Sequence, residues 1–325
     1  MGQLKHSPVW CFFRIIKKYC PGYQAGALNR SALCFCVKAG INTNFMREPE
    51  IQKTIIPVDL NDKALKIISY AFIISKDILC NHTIFHCLED DTTKEEAGEL
   101  LKEMLVTVLE RVPQLPQTTI KIHVVKGNFI EELTRLEEQE KFNTLAIGTG
   151  SKAEDWEMGD TTRKIVMSIP VRIIAVPPQA EMVFPGSLGV LVETIEESYS
   201  GVFDIFMQFV AYYNLFLSFV VFAKDKQKLE EERALIEGFK DFFSDTISFS
   251  FILEEEQTVL NFLKYADELG CDGTVIAWDE GTTAYKLARD TGRVFCNPLK
   301  PILYLNRSEL KGIPEHLFFA DEIAE

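Results

Sequence analysis

TLAIGTGSKAEDWEMGDTTRKIVMSIPVRIIAVP, residues 144–177, decides the fold. An apolar run at 144–148 enters Gly148-Thr149-Gly150, a stretch with helical spacing follows near 161–169, and a second apolar run at 171–177 closes the segment. Strand, glycine turn, helix and strand in that order make a βαβ unit, whose two strands lie parallel in one sheet. A glycine turn opening onto a helix has the form of an anion cradle, because the first amides of a helix have no partner inside it. The same loop holds Glu154, Asp155, Glu157 and Asp160 against Lys152 alone, so its charge opposes its form.

Upstream, the alternation repeats. TIIPVDL (54–60) reads as a buried strand, and Asn61-Asp62 offers a cap to a helix in which Ala64, Ile67, Ile68, Ala71, Ile74 and Ile78 recur at helical spacing. HTIFHCL (82–88) is a second strand, followed by a helix capped by Asp91 or Thr92; TIKIHVV (119–125) is a third, followed by the helix NFIEELTRLEEQEKF. Five strands with helices between them, four of them apolar on both faces, predict an α/β domain with a doubly wound parallel sheet. Pro177-Pro178-Gln179-Ala180 interrupts the pattern, and FPGS (184–187) restarts it. Strands are then expected at 188–194, 216–223, 247–253, 272–278 and 301–305, with helices at 196–215, 226–243, 257–269 and near 282–290. The repeated order predicts an internal duplication with a period of about 130 residues, far above solenoid periods. The expected domains are 51–179 and 184–307, with a basic extension at 1–46 and a tail at 308–325.

Composition narrows the function. Of 325 residues, 47% are hydrophobic and 25% charged, enough to bury a core, and the net charge of −14 opposes binding to nucleic acid or to an anionic membrane surface. Residues 1–46 carry Lys5, Arg14, Lys17, Lys18, Arg30 and Lys38 with no acidic residue, and no apolar run near the length of a membrane span. This leader reads as an extension outside the fold, a weak targeting segment, or sequence upstream of a start at Met46. Beyond it, Cys80, Cys87, Cys271 and Cys296 lie in separate apolar segments and read as buried thiols in a reducing, cytoplasmic compartment. His82 and His86 alternate to one side of their strand and Cys87 to the other, so this segment alone cannot close a four-ligand zinc site. The P-loop, HExxH and GxSxG patterns are absent from the sequence.

Several of these stretches resemble one family. IIPVDL, with Asp59 ending the strand, TIFHCLED, VVKGNFIEEL, and the glycine loop with its closing helix and strand are similar to motifs of the universal stress proteins. The resemblance covers 51–179 well and 184–307 by element order, and it implies two tandem, Rossmann-like five-stranded domains. In nucleotide-binding members an Asp at the position of Asp59 faces the adenosine and the glycine loop wraps the phosphates. The resemblance thus implies a candidate ATP site of Asp59, Gly127, Gly148, Gly150, Ser151, Gly159, Thr161 and Thr162. Read locally, Asp59 is equally a cap for the next helix, and Gly127 a left-handed turn residue.

The loop departs from the family pattern of Gly, two residues, Gly, nine residues, then Gly with Ser or Thr. Gly150 falls one place early, Ser151 stands where the second glycine belongs, and Gly159 is followed by Asp160. Like charges about 8 Å apart at an effective dielectric near 20 cost up to about 2 kcal/mol per pair before screening. A helix N-terminus contributes about 0.3 to 1 kcal/mol, so the carboxylates outweigh it unless Arg163 and Lys164 turn toward the loop. A vestigial or differently occupied pocket is expected in place of tight ATP binding, which stays as the other reading. In the second half Glu193 stands for Asp59, and Trp278-Asp279-Glu280-Gly281 replaces the glycine loop; both changes are expected to occupy or repel a phosphate.

The resulting expectation is a non-enzymatic stress-response or signalling module. Its halves would form an intramolecular pseudo-dimer by pairing VRIIAVP with PILYL, with an unidentified protein partner and a homodimer as further forms. The alternative is a slow ATPase or adenylating enzyme whose loop carboxylates hold Mg²⁺.

Overall fold

The computed structural model describes residues 51–76, 80–88, 93–112, 119–151, 155–192, 215–223, 225–237, 247–253, 258–278 and 280–305. The basic leader, all but the last residue of the helix expected at 196–215, Glu193, Asp279 and the tail lie outside the described residues. The first nine elements are β1 (Gln52–Pro57), α1 (Asp62–Ser75), β2 (Cys80–Leu88), α2 (Lys94–Arg111), β3 (Ile120–Lys126), α3 (Phe129–Glu140), β4 (Thr144–Gly148), α4 (Asp160–Ser168) and β5 (Arg172–Val176). They are followed by β6 (Ser187–Val192), β7 (Phe216–Ala223), α5 (Lys226–Glu237), β8 (Ile247–Leu253), α6 (Thr258–Glu268), β9 (Gly273–Ala277), α7 (Thr283–Thr291) and β10 (Ile302–Leu305). Residues 49–185 with 259–306 make one compact unit, and residues 186–258 fall in a second.

In the larger unit the first five strands run parallel in the order β3-β2-β1-β4-β5. That is the doubly wound arrangement, with the winding reversing between β1 and β4. The register places Ile56 beside Ile84 and Leu145 beside Ile173. All four are buried with almost no exposure, which explains why these strands are apolar on both faces. Burying each such side chain stabilises the fold by about 1.5–3 kcal/mol.

The helices begin where short polar side chains can satisfy their first amides. Asn61 accepts from the Lys63 amide at 2.9 Å to start α1. Thr93 and Glu96 exchange bonds in a capping box at α2, replacing the Asp91 or Thr92 cap expected from the sequence. Asn128 accepts from the amides of Ile130 and Glu131 to start α3. Ile67, Ile68, Ala71 and Phe72 of α1 then face the sheet in one cluster with Ile56, Val58 and Ile84.

The larger unit continues past β5. There β10 lies antiparallel, with Leu303 beside Ile174 and Tyr304 beside Ile173, and β9 follows parallel to β10. In the second unit β6, β7 and β8 are parallel neighbours, Val190 beside Phe219 and Phe219 beside Phe249, the two rings stacked at 5.2 Å.

Candidate functional site

The crevice of a doubly wound sheet opens beyond the carboxyl ends of its strands at the switch point, here β1 and β4. Asp59 leaves β1 at that edge and is exposed. Asn61, not Asp59, caps α1, and the Asp59 carboxylate has no partner among the described residues. Gly127 leaves β3 with φ +155°, and a Cβ there would lie 3.2 Å from Cγ of Glu132; its carbonyl accepts from the Cys87 thiol at 3.1 Å. Glycine is required there by the turn into Asn128 and α3.

Gly148, Gly150, Ser151, Gly159 and Thr162 are brought together, but by bonds to one another. Thr149 is fully buried, its amide donating to Val176 O at 3.0 Å and its hydroxyl lying 2.7 Å from that of Ser151. The Gly159 amide donates to Thr149 O at 3.0 Å, and the Thr162 hydroxyl donates to Gly148 O at 2.8 Å. A Cβ on Gly150 would meet Thr162 Oγ1 at 3.0 Å, and one on Gly159 would meet Gly150 O at 2.6 Å. These glycines allow the loop to pack on itself. Of the candidate hydroxyls only that of Thr161 is exposed. Gly159 gives α4 no side-chain cap.

The electrostatics differ from the sequence expectation. Glu157 is paired with Arg293, and Asp160 with Arg163 at 3.0 Å, so two of the four loop carboxylates are neutralised locally. Lys152 and Glu154 lie outside the described residues. The sequence reading missed the segment 292–297, which follows α7 and lies along 155–158. Met158 N donates to Val294 O at 2.9 Å, Cys296 N donates to Trp156 O at 2.8 Å, and Glu157 bridges antiparallel to Phe295. Burial pushes the Cys296 thiol up to about 12, while a hydrogen bond with Ser151 opposes the shift. It therefore stays a protonated thiol, without the thiolate that reactivity needs.

No family model matches the sequence, and no curated protein matches it either. Solved structures do. A universal stress protein from Archaeoglobus fulgidus superposes with TM-score 0.54 at 12% identity, over 79% of this chain and 97% of that one. A Pseudomonas aeruginosa protein of unknown function gives 0.53 at 12% identity over 83% and 98%, and a protein assigned as a universal stress protein from another Pseudomonas aeruginosa strain gives 0.52 at 13% over 82% and 98%.

The chain has the universal stress protein fold.

Within the universal stress protein fold, the second half closes its own loop differently. The Trp278 amide donates to Leu305 O at 2.7 Å, as the Thr149 amide does to Val176 O, so Trp278 takes the place of Thr149. Its side chain is buried, with Nε1 donating to Val166 O of α4 at 3.2 Å and the ring edge-on to Tyr285 and Tyr304. The expectation that Trp278 would occupy a phosphate position is therefore corrected: an indole in the core keeps its apolar area dry and its N–H bonded. Thr282 caps α7 where Gly159 begins α4, so only 279–281 stand where the first half has 150–158.

The histidines are also committed elsewhere. The Ser75 hydroxyl donates to Ala71 O at 2.8 Å, so at 3.0 Å it accepts from His82 Nε2–H. His86 Nδ1 donates to Val58 O at 2.8 Å. Cys80, Cys87, Cys271 and Cys296 are buried thiols. Among the described residues no helix is long and apolar enough to cross a membrane.

Proposed function

We propose that this protein is a non-catalytic, cytoplasmic stress-response or signalling module of the universal stress protein type, working through an unidentified protein partner. Its two halves act as an intramolecular pseudo-dimer, with at most one adenine-nucleotide pocket, at the mouth of the first half, and that one degenerate. The antiparallel pairing of β5 with β10 within one chain supports the pseudo-dimer. The observation that carries the nucleotide reading is the self-bonded loop: the Thr162 hydroxyl and the Gly159 amide donate to the chain itself, and the Thr149 and Ser151 hydroxyls are buried against each other. In this form the residues present do not fit a tightly held triphosphate, which would have to displace those bonds to gain its own.

Titration calorimetry with ATP, with and without Mg²⁺, tests this. Binding weaker than about 100 μM in both conditions is expected, corresponding to a gain of less than about 5.5 kcal/mol. Binding below about 1 μM overturns the degenerate-site reading. Tight binding that needs Mg²⁺ would favour the alternative of a slow ATPase or adenylating enzyme, with the exposed carboxylates of Asp59 and Asp155 as the groups at hand for the metal.

A further inference from the structure

We propose that β8 is an interface for a second copy of this chain, the two β8 strands pairing antiparallel, edge to edge, about a twofold axis at Ser250. The contact is distinct from the β5–β10 pairing of the pseudo-dimer and does not depend on whether the first-half mouth holds a nucleotide. Among the described residues the row β6-β7-β8 ends at β8, as the row of the larger unit ends at β3. An end strand presents amides and carbonyls to any strand that can lie beside it. β3, IKIHVVK, carries the exposed Lys121 and Lys126, and charge on an edge guards against such pairing. β8, ISFSFIL, has no charged residue, no proline and no glycine. Five of its seven residues are large and apolar, yet none of the seven is buried, whereas β6 and β7 bury most of theirs. An apolar strand left half open in this way has area to gain from one more strand.

The pattern of β8 selects that strand. Read backwards from Leu253 it is LIFSFSI, which keeps a phenylalanine on either side of the central serine and an aliphatic residue at each end. Antiparallel pairing centred on Ser250 therefore sets Ser250 opposite itself, Phe249 opposite Phe251 of the second copy, and Ile247 opposite Leu253; only Ser248 and Ile252 are unlike. A twofold contact needs this property, because each copy contributes the same patch. Phe249 and Phe251 share one face of β8. On that face Phe249 stacks on Phe219 at 5.2 Å, and the Arg233 guanidinium lies 5.5 Å from the centre of the Phe251 ring. Pairing extends this row of rings across the axis, and such cross-strand aromatic pairs hold one register against slippage. With no charge, β8 favours neither an acidic nor a basic peptide; by pattern it favours itself. A seven-residue strand pair is small beside the roughly 1,600 Å² of a standard interface, and each copy carries a net charge of −14. The dimer is therefore weak and reversible, and salt tightens it by screening the two copies from each other.

Sedimentation equilibrium of the full chain from about 1 to about 200 μM, with amide hydrogen exchange at both ends of that range, tests this. A reversible dimer is expected, with exchange slowed at 247–253 at the higher concentration and unchanged at 120–126. Ser250→Lys sets like charges opposite each other at the axis and should weaken the dimer by about tenfold or more. Mixing the Ser250→Lys and Ser250→Glu proteins should restore it, because position 250 faces itself. If Ser250→Lys does not fold, Ser248→Lys puts the charge at a position already exposed in the single chain. A monomer throughout the range overturns the proposal, whether the edge is bare or covered by the chain's own residues. A dimer whose 247–253 amides do not slow places the contact elsewhere and overturns it as well. A dimer that the lysine substitution leaves unchanged, or no recovery on mixing, overturns the pairing about Ser250.

Discussion

His82 is buried beneath Phe72, with their rings 4.7 Å apart, and burial pulls its pKa down from 6.5 to about 4. The folded state therefore holds the neutral ring, while the unfolded chain takes up a proton near pH 6.5. Stability from this group is complete above pH 6.5 and is lost as the pH falls toward 4, by about 3 kcal/mol in all. Urea unfolding at a series of pH values should show that slope, and His82→Gln should flatten it between pH 6.5 and 4; an unchanged slope in the variant would place the cause elsewhere. At this scale the sequence was partly legible. The alternation of His82 and His86 to one face follows from strand geometry alone. Whether Asp59 or Asn61 would cap α1 did not, because both are good capping residues and the choice depends on where the chain leaves β1. The ion pairs of Glu157 and Asp160 were half visible: Arg163 is three residues from Asp160 along a helix, whereas Arg293 has no sequence relation to Glu157.

Among the elements, the loop from β4 to α4 is where backbone meets backbone. A methyl group on Gly159 would lie 2.6 Å from the Gly150 carbonyl oxygen, and nothing flexible stands between them to yield. Gly159→Ala should cost about 1–3 kcal/mol, the usual penalty for forcing extra volume into a close-packed place. A chemical denaturation midpoint equal to that of the unaltered protein would mean that the loop rearranges freely. Strands and helices could be read from the chain because their periods, two and near four, are written locally. Direction was not legible after β9. Trp278 follows an apolar strand, where an aromatic ring can turn inward or outward; only the carbonyl of Val166, supplied from α4, decides it. The segment 292–297 had no signal either, since its partners stand far back in the sequence and its own pattern matches no regular period.

For the whole molecule, the order of strands β3-β2-β1-β4-β5 follows from alternating strands and helices together with the right-handed crossover rule, which leaves few ways to wind such a chain. What closes the far side of β5 is a strand from near the other end of the chain. A fragment of residues 47–179 should leave the β5 edge bare and self-associate through it, giving dimers or larger species in sedimentation. A monodisperse monomer at tens of micromolar would show that β5 needs no cover.

That late cover sets a delay during synthesis. Between Val176 and Ile302 lie roughly 125 residues, and at about 5–20 residues per second the ribosome needs on the order of 6–25 s to make them. Throughout that interval the nascent chain carries a row of unsatisfied amides and carbonyls along an apolar margin. Neighbouring polysome-borne copies present the same margin at high local concentration, so this protein's chance of misassembly is greatest before β10 has been translated.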